Sequence, residues 1–294
     1  MKKYSKTFYL LAISFLILVF FIIPNLKFSV SVKNINPIVQ QTVSNNTITT
    51  NTAGKIVPSI TNDNKKKPLI LSEEDKEILA TLVKEGLPKD ISNVKLTHLS
   101  VPIFQQEYTR SCEEASLRMV LAFYGIQTND MDIVKKVGYD PRPWDIKNNI
   151  WDDPNKMFVG YIDDPNKSGY GTFSPAIAGA AKSFGHDAQN YLGVSSQFIA
   201  QQIYNGNPVI VWGFFKTPPF IKYSWNTDNG KKVTAYRGEH VRVVTGFYGD
   251  ISNPVGFLIN DPLTGDKDVY WSTDRLMTQM NMYGNLTNQA VVVK

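Results

Sequence analysis

Cys112, His240, Asp261 and Gln106 are the residues of this chain whose types and spacing could carry covalent chemistry. Cys112 is the single cysteine in 294 residues and stands in "QQEYTRSCEEASLRMVLAFYG", residues 105–125. One thiol cannot form an internal disulfide, and a cysteine zinc site would need several ligands, so the sulfur is free. A free cysteine is either a small buried hydrophobe or a nucleophile. Ser111 reads as an N-cap with Glu114 as its capping-box partner, and Ala115, Met119, Ala122 and Phe123 then share one helical face. Cys112 becomes the first helical residue, where unpaired N–H groups and the helix dipole favour thiolate. Glu113 and Glu114 oppose ionisation, so a nucleophile here needs a cationic or basic partner.

Three histidines are available. His98, in "KLTHLS", reads as a surface or packing residue, and His186, in "KSFGHDA", as a group in the turn after a helix. His240 opens a β-branched run, Val241 to Phe247, and "PVGFLINDP" reads as the returning strand. An antiparallel hairpin of 240–247 with 255–261 sets Asp261 beside His240 within about a residue of register. A carboxylate there can orient an imidazole, giving a Cys/His/Asp arrangement. The alternative is that Asp261-Pro262 only opens a turn. Gln106 could reach the place where an oxyanion would form, beside the Cys112 backbone N–H, although a Gln at this spacing also fits a surface position.

These residues need elements to hold them. "SSQFIAQQIYNGNPVIVWGFF" predicts a helix, a turn at Asn205–Asn207 and a buried strand over 209–215. Gly169, Gly171 and Ser174-Pro175 predict a tight loop leading into a helix that runs to Phe184. "KTPPFIKYSWNTDNGKKVTAYRG", just before His240, predicts either a cleft rim or an ordinary hairpin. "DDPNK" occurs at 152–156 and 163–167; its acids and Asn could ligate calcium, but Asp-Pro-Asn is also a common turn.

The N-terminus differs in kind. "MKKYSK" precedes an apolar run from Phe8 to Ile23, which reads as a signal anchor or a signal peptide over residues 1–30, with everything beyond it outside the cell. Residues 31–68, rich in Asn, Thr and Lys and without an apolar period, read as a disordered stalk. Residues 1–68 hold nine lysines and one acid, Asp63, so of the chain's +5 the remaining 69–294 carry −3. The basic balance therefore belongs to the membrane end, and no nucleic-acid footprint follows from it. "LSEEDKEILATLVKEG" predicts a helix capped by Ser72 and stopped by Gly86. One folded domain over 69–294 follows.

The ordered motifs "VPIFQQ", "SCEEASLRMVLAFYG", "WDDPNKMFVGYIDD", "SGYGTFSPAIAGAAKSFG", "GNPVIVW", "GEHVRVVTGF" and "INDPLTG" resemble the bacteriocin-processing, double-glycine leader peptidase-like family of papain-like cysteine peptidases. The likeness covers about residues 99–293 and is to the stand-alone extracellular type, which lacks a fused transporter. It implies an α+β, papain-like fold: a cysteine at a helix N-terminus, packed on an antiparallel sheet that carries histidine and aspartate. It further implies Cys112 as nucleophile, His240 as general base and acid, Asp261 as orienting residue and Gln106 as oxyanion donor, with no cofactor and no metal. Arg242 departs from the pattern, which is usually apolar there. It shares His240's face of the strand and could bind a substrate carboxylate or pair with an acid. Two function classes follow, a membrane-tethered or secreted thiol peptidase or amidase and a catalytically silent module that binds peptide or cell-wall material. Acyl transfer to an amine would use the same residues.

Overall fold

The β-branched runs of the C-terminal half assemble into one antiparallel sheet that divides the helices into two layers. The computed structural model describes residues 91, 94–214, 221–281 and 287–294. The apolar run, the stalk and the helix expected from Ser72 lie outside the described residues, as do Phe215 and the start of the excursion after it. In chain order the elements open with β1 (Leu96–His98), α1 (Cys112–Phe123) and α2 (Asp130–Val137). A short pair, β2 (Val159–Gly160) and β3 (Gly169–Gly171), leads to α3 (Ser174–Ser183), β4 (Ala188–Tyr191), α4 (Ser196–Tyr204) and β5 (Val209–Phe214). The hairpin β6 (Lys222–Asn226) and β7 (Lys232–Tyr236) precedes the long pair β8 (Glu239–Asp250) and β9 (Asn253–Asp261). β10 (Asp266–Ser272), α5 (Thr273–Met280) and β11 (Ala290–Val293) complete the domain.

The main sheet runs β10-β9-β8-β5-β11-β4, with β1 added on the far half of β8. All its pairings are antiparallel. Both faces are covered, so β5 and β11 are apolar throughout rather than alternating. Ile210, Trp212 and Phe214 of β5 meet α1 and α3, whereas Val209 and Val211 meet α4 and α5. The result is the expected α+β class.

α1 crosses the middle of the first layer. Its residues from Cys112 to Leu121 are buried apart from Arg118, which is partly exposed. This is a helix enclosed on nearly all sides, not one with a single apolar face. Leu117, Met119, Val120 and Leu121 are completely enclosed, each worth about 1.5–3 kcal/mol of apolar transfer. The expected capping box does not form. Ser111 holds the N-cap position without a side-chain cap bond, because its hydroxyl donates to Asp130 Oδ2 at 2.7 Å. Glu114 turns instead to Thr172, whose hydroxyl donates to it at 3.0 Å.

β8 and β9 carry two irregularities that cancel. Pairing runs Val243↔Asn260 and Val244↔Ile259, then skips Thr245 to resume at Gly246↔Leu258. Nearer the turn it skips Val255, passing from Tyr248↔Gly256 to Gly249↔Pro254. Each strand thus contributes one extra residue, a bulge that shifts facing partners by one.

Candidate active site

The sequence-predicted residues converge on one cleft of about 420 Å³, lined by Gln106, Cys112 and His240 together with Trp144, Tyr170, Tyr223, Glu239 and others. Asp261 stands behind His240 and completes the group.

Strand pairing supplies the histidine–carboxylate contact. Continued one step past Val243↔Asn260, the register sets Asp261 opposite Arg242, two residues from His240 and on the same face of β8. The contact is therefore diagonal, two residues off register where the sequence reading expects about one. His240 Nε2 lies 2.7 Å from Asp261 Oδ1, and Arg242 Nε donates to Oδ2 at 2.6 Å. The Leu263 N–H donates to Oδ1 at 2.9 Å. Burial alone would raise the Asp261 carboxyl, but the charges and hydrogen bonds of His240 and Arg242 outweigh it and hold it well below the usual carboxylate range. His240 is itself completely buried, and that burial, joined by the Arg242 charge, lowers its pKa against the pull of Asp261. A neutral imidazole donating Nε2–H to Asp261 follows, so proton exchange with a reacting group falls to Nδ1.

Arg242, on the same face of β8, has a defined place. It is buried, donates also to the Phe214 carbonyl at 3.1 Å and lies 4.7 Å from the Trp271 ring centroid. It anchors Asp261.

Cys112 begins α1 as predicted, but its surroundings are acidic. The thiol donates to Glu113 Oε2 at 3.1 Å. Its pKa is pushed well up, first by burial and then by the charges of Glu113 and Glu239, with the Val241 N–H opposing. Glu113 is tied to the β3 end by the Thr172 N–H, which donates to Oε1 at 2.7 Å. Gly171, at φ 131°, permits this: a Cβ there would overlap the Glu113 carboxylate. Burial lifts the Glu113 carboxyl to about 7, and Glu114 also lies well above its ordinary range. The resting cleft thus holds a neutral thiol and a neutral imidazole.

Gln106 is buried in the cleft wall, and its segment is docked on the Asp261 turn. Its N–H donates to the Pro262 carbonyl at 2.8 Å, and Gln105 Nε2 donates to Leu263 O at 3.0 Å. The two amide hydrogens of Gln106 go to the carbonyls of Tyr108 and Thr109, at 2.8 and 2.9 Å.

The remaining candidates read from the sequence lie elsewhere. His98 pairs with Asp268 at 3.0 Å, and His186 contacts the Lys294 carbonyl at 3.0 Å beside Tyr124. The first "DDPNK" is a turn whose acids are already paired, Asp152 with Arg142 and Asp153 with Lys231. Among the described residues no group of three or more His, Cys, Asp or Glu could hold a metal ion. The excursion before His240 is both a hairpin and a cleft wall, with Tyr223 and Tyr236 on the cleft. Sequence reasoning missed Glu239, and it took Glu113 and Glu114 only as opponents of ionisation. The full burial of Glu113 and Glu114 carries no local sequence signal.

Residues 98–291 match the family model described as "Peptidase_C39 like family". No curated protein matches the chain. The crystal structure of a C39-like peptidase from Bacillus anthracis is 25% identical, with 68% of this chain and 98% of that chain covered and a TM-score of 0.57. The peptidase domain of Streptococcus ComA, a bifunctional ABC transporter of quorum sensing, is 19% identical over 65% of this chain and 96% of its own, at a TM-score of 0.37.

Proposed function

The chain belongs to the Peptidase_C39 like family, and on that premise we propose that it is a cysteine peptidase hydrolysing a peptide or amide bond through Cys112, His240 and Asp261, with Gln106 as oxyanion donor. The observation that supports this most is the 2.7 Å His240–Asp261 contact in the wall of the cleft that also holds the thiol. His240 Nδ1 takes the thiol proton as sulfur attacks the scissile carbonyl, and the oxyanion is held by the Cys112 N–H and the Gln106 amide. One Gln106 hydrogen turns from its carbonyl for this purpose. The tetrahedral intermediate collapses to a thioester as His240 hands the proton to the departing amine. Water, deprotonated by His240, then attacks the thioester and releases the acid, and the proton returns to sulfur.

We place the domain, residues 69–294, outside the cell, as a stand-alone peptidase. It is joined by the stalk over 31–68 to the segment over 1–30, which anchors it in the membrane or is cut to release it. Charge before the apolar run supports that orientation. Among the described residues no helix is long and apolar enough to cross a membrane, and the run itself lies outside them.

The thiol's bond to Glu113 favours a second reading, a silent module that binds peptide or cell-wall material. Labelling with a peptidyl electrophile, scored on Cys112 by mass spectrometry across pH, separates the two. A peptidase labels faster than a free peptide thiol once the reagent occupies the cleft, and His240→Ala returns it to the peptide rate. Equal rates in parent and variant leave the binding module.

A further inference from the structure

The catalytic residues use one wall of the cleft and leave another unexplained. That wall is aromatic and ends on a carboxylate. Trp144 and Trp151 stack in parallel with ring centroids 5.6 Å apart, and Tyr223 meets Trp144 edge-on at 6.0 Å. These rings are braced from behind. Trp225 lies 5.3 Å from Trp151 and donates its N–H to the Asp152 carbonyl at 2.7 Å. All three cleft rings, and Tyr170, line the same space as Cys112.

Glu239 closes this wall. It is the first residue of β8, and strand alternation sets it with Val241 and Val243 on the face toward α1. The residue is partly exposed, whereas its Oε1 is sealed from solvent and has no hydrogen-bond partner among the described residues. Burial first, and then Glu113 and Glu114, push its carboxyl well above the usual carboxylate range, and Tyr170 is nearby. Of the cations that line the cleft, Arg237 is exposed, and the other two have partners. Arg110 donates to the carbonyls of Tyr161 and Asp164 at 3.0 and 2.8 Å, and Lys167 lies over the Tyr161 ring. The ionised form of such a carboxyl is unfavourable until a ligand brings a positive charge and a hydrogen-bond donor to it.

We propose that this part of the cleft is a subsite for a cationic side chain, lysine or arginine, of the substrate peptide next to the scissile bond. The aliphatic stem lies along the Trp144 and Tyr223 rings, and the ammonium or guanidinium head meets Glu239. Rings suit such a group on both counts, by apolar contact with the stem and by attraction of the head to their faces. The Glu239 oxygen receives the donor it lacks, and a positive charge enters a cluster of three acids that otherwise suppresses ionisation of Cys112. Substrates with a neutral residue at that position gain neither effect.

The proposal rests on the peptidase reading for its substrate, but its test does not need turnover. Full-length Cys112→Ala protein is titrated, by the quenching of its tryptophan fluorescence, with acetylated tripeptide amides in matched pairs, lysine against norleucine and arginine against citrulline. The cationic member of each pair binds at least about tenfold more tightly. In the Cys112→Ala, Glu239→Gln double variant the two members bind alike, with the norleucine peptide unchanged. In the unmodified protein the lysine peptide protects Cys112 from iodoacetamide at a concentration at least about tenfold lower than the norleucine peptide does. Equal binding of charged and neutral members, or a preference that survives Glu239→Gln, overturns the subsite. Binding with the stated preference, but without cleavage by the parent, overturns the peptidase reading and leaves the subsite standing.

Discussion

Glu113→Gln changes the reactivity of Cys112 by an amount that depends on pH in a defined way. In the resting protein the thiol donates to Glu113 Oε2 at 3.1 Å, and Glu113 titrates near pH 7. Two unit negative charges this close repel by at least about 4 kcal/mol even at an effective dielectric constant of 20, so thiolate beside carboxylate is negligibly populated. Reactive thiolate therefore exists only with Glu113 protonated. The population of that state levels off above pH 7, because each further proton lost comes from the carboxyl. Glutamine keeps the shape and can still accept the Thr172 N–H, but it holds no charge, so the variant's thiolate fraction continues to rise tenfold per pH unit. The ratio of alkylation rates, variant over parent, follows one plus ten to the power of pH minus about 7. It is near unity at pH 6, about fourfold at pH 7.5 and about thirtyfold at pH 8.5. The assay is iodoacetamide modification of Cys112 followed by intact-protein mass spectrometry from pH 6 to 8.5. A ratio that stays constant across that range, or falls below one, refutes the argument and removes Glu113 from control of the thiol.

Four further outcomes follow. Arg242→Leu leaves Asp261 buried without its 2.6 Å partner and lowers stability by about 3–5 kcal/mol in urea unfolding; a loss under 1 kcal/mol would mean the pair is not an anchor. A carboxyl whose folded pKa exceeds its unfolded value stabilises below the unfolded value and loses that contribution as pH rises. Glu113, moving from 4.5 to about 7, thus reduces stability by about 3 kcal/mol between those pH values, and Glu113→Gln flattens this part of the profile. Gln106→Ala lowers kcat by about 10² with KM little changed, since the oxyanion exists only along the reaction path; a change confined to KM would make it a binding residue. Protease added to intact cells cuts within residues 31–68 and releases the domain, whereas protection until the membrane is broken contradicts the orientation.

What could be read in the chain, and what could not, separates along local and non-local lines. The helix after Ser195, the turn at 205–207 and the buried strand after it were legible because their signals sit within a few residues of one another. The pairing of His240 with Asp261 was legible because two β-branched runs of matched length flank a short turn. Its diagonal geometry was not, since nothing local marks Asp250 and Asn253 as the pair that closes the turn, and that pair decides which residue of β8 faces Asp261. The failure of the capping box has a similar cause. Asp130, 19 residues away, takes the Ser111 hydroxyl, and Thr172 takes Glu114, so tertiary partners displaced the local ones. Glu239 was missed because an acid beside a histidine is ordinary until its surroundings are known.

The two opposed bulges mark where the hairpin holds slack. Both lie between His240 and Asp261, one on each strand, and together they restore the register that the turn alone would set. Thr245 and Val255 are each the unpaired extra residue of their bulge, so removing either closes that bulge and leaves every other pair, and Asp261 opposite Arg242, as it was. The length of this hairpin is therefore less constrained at those two positions than at the paired residues around them.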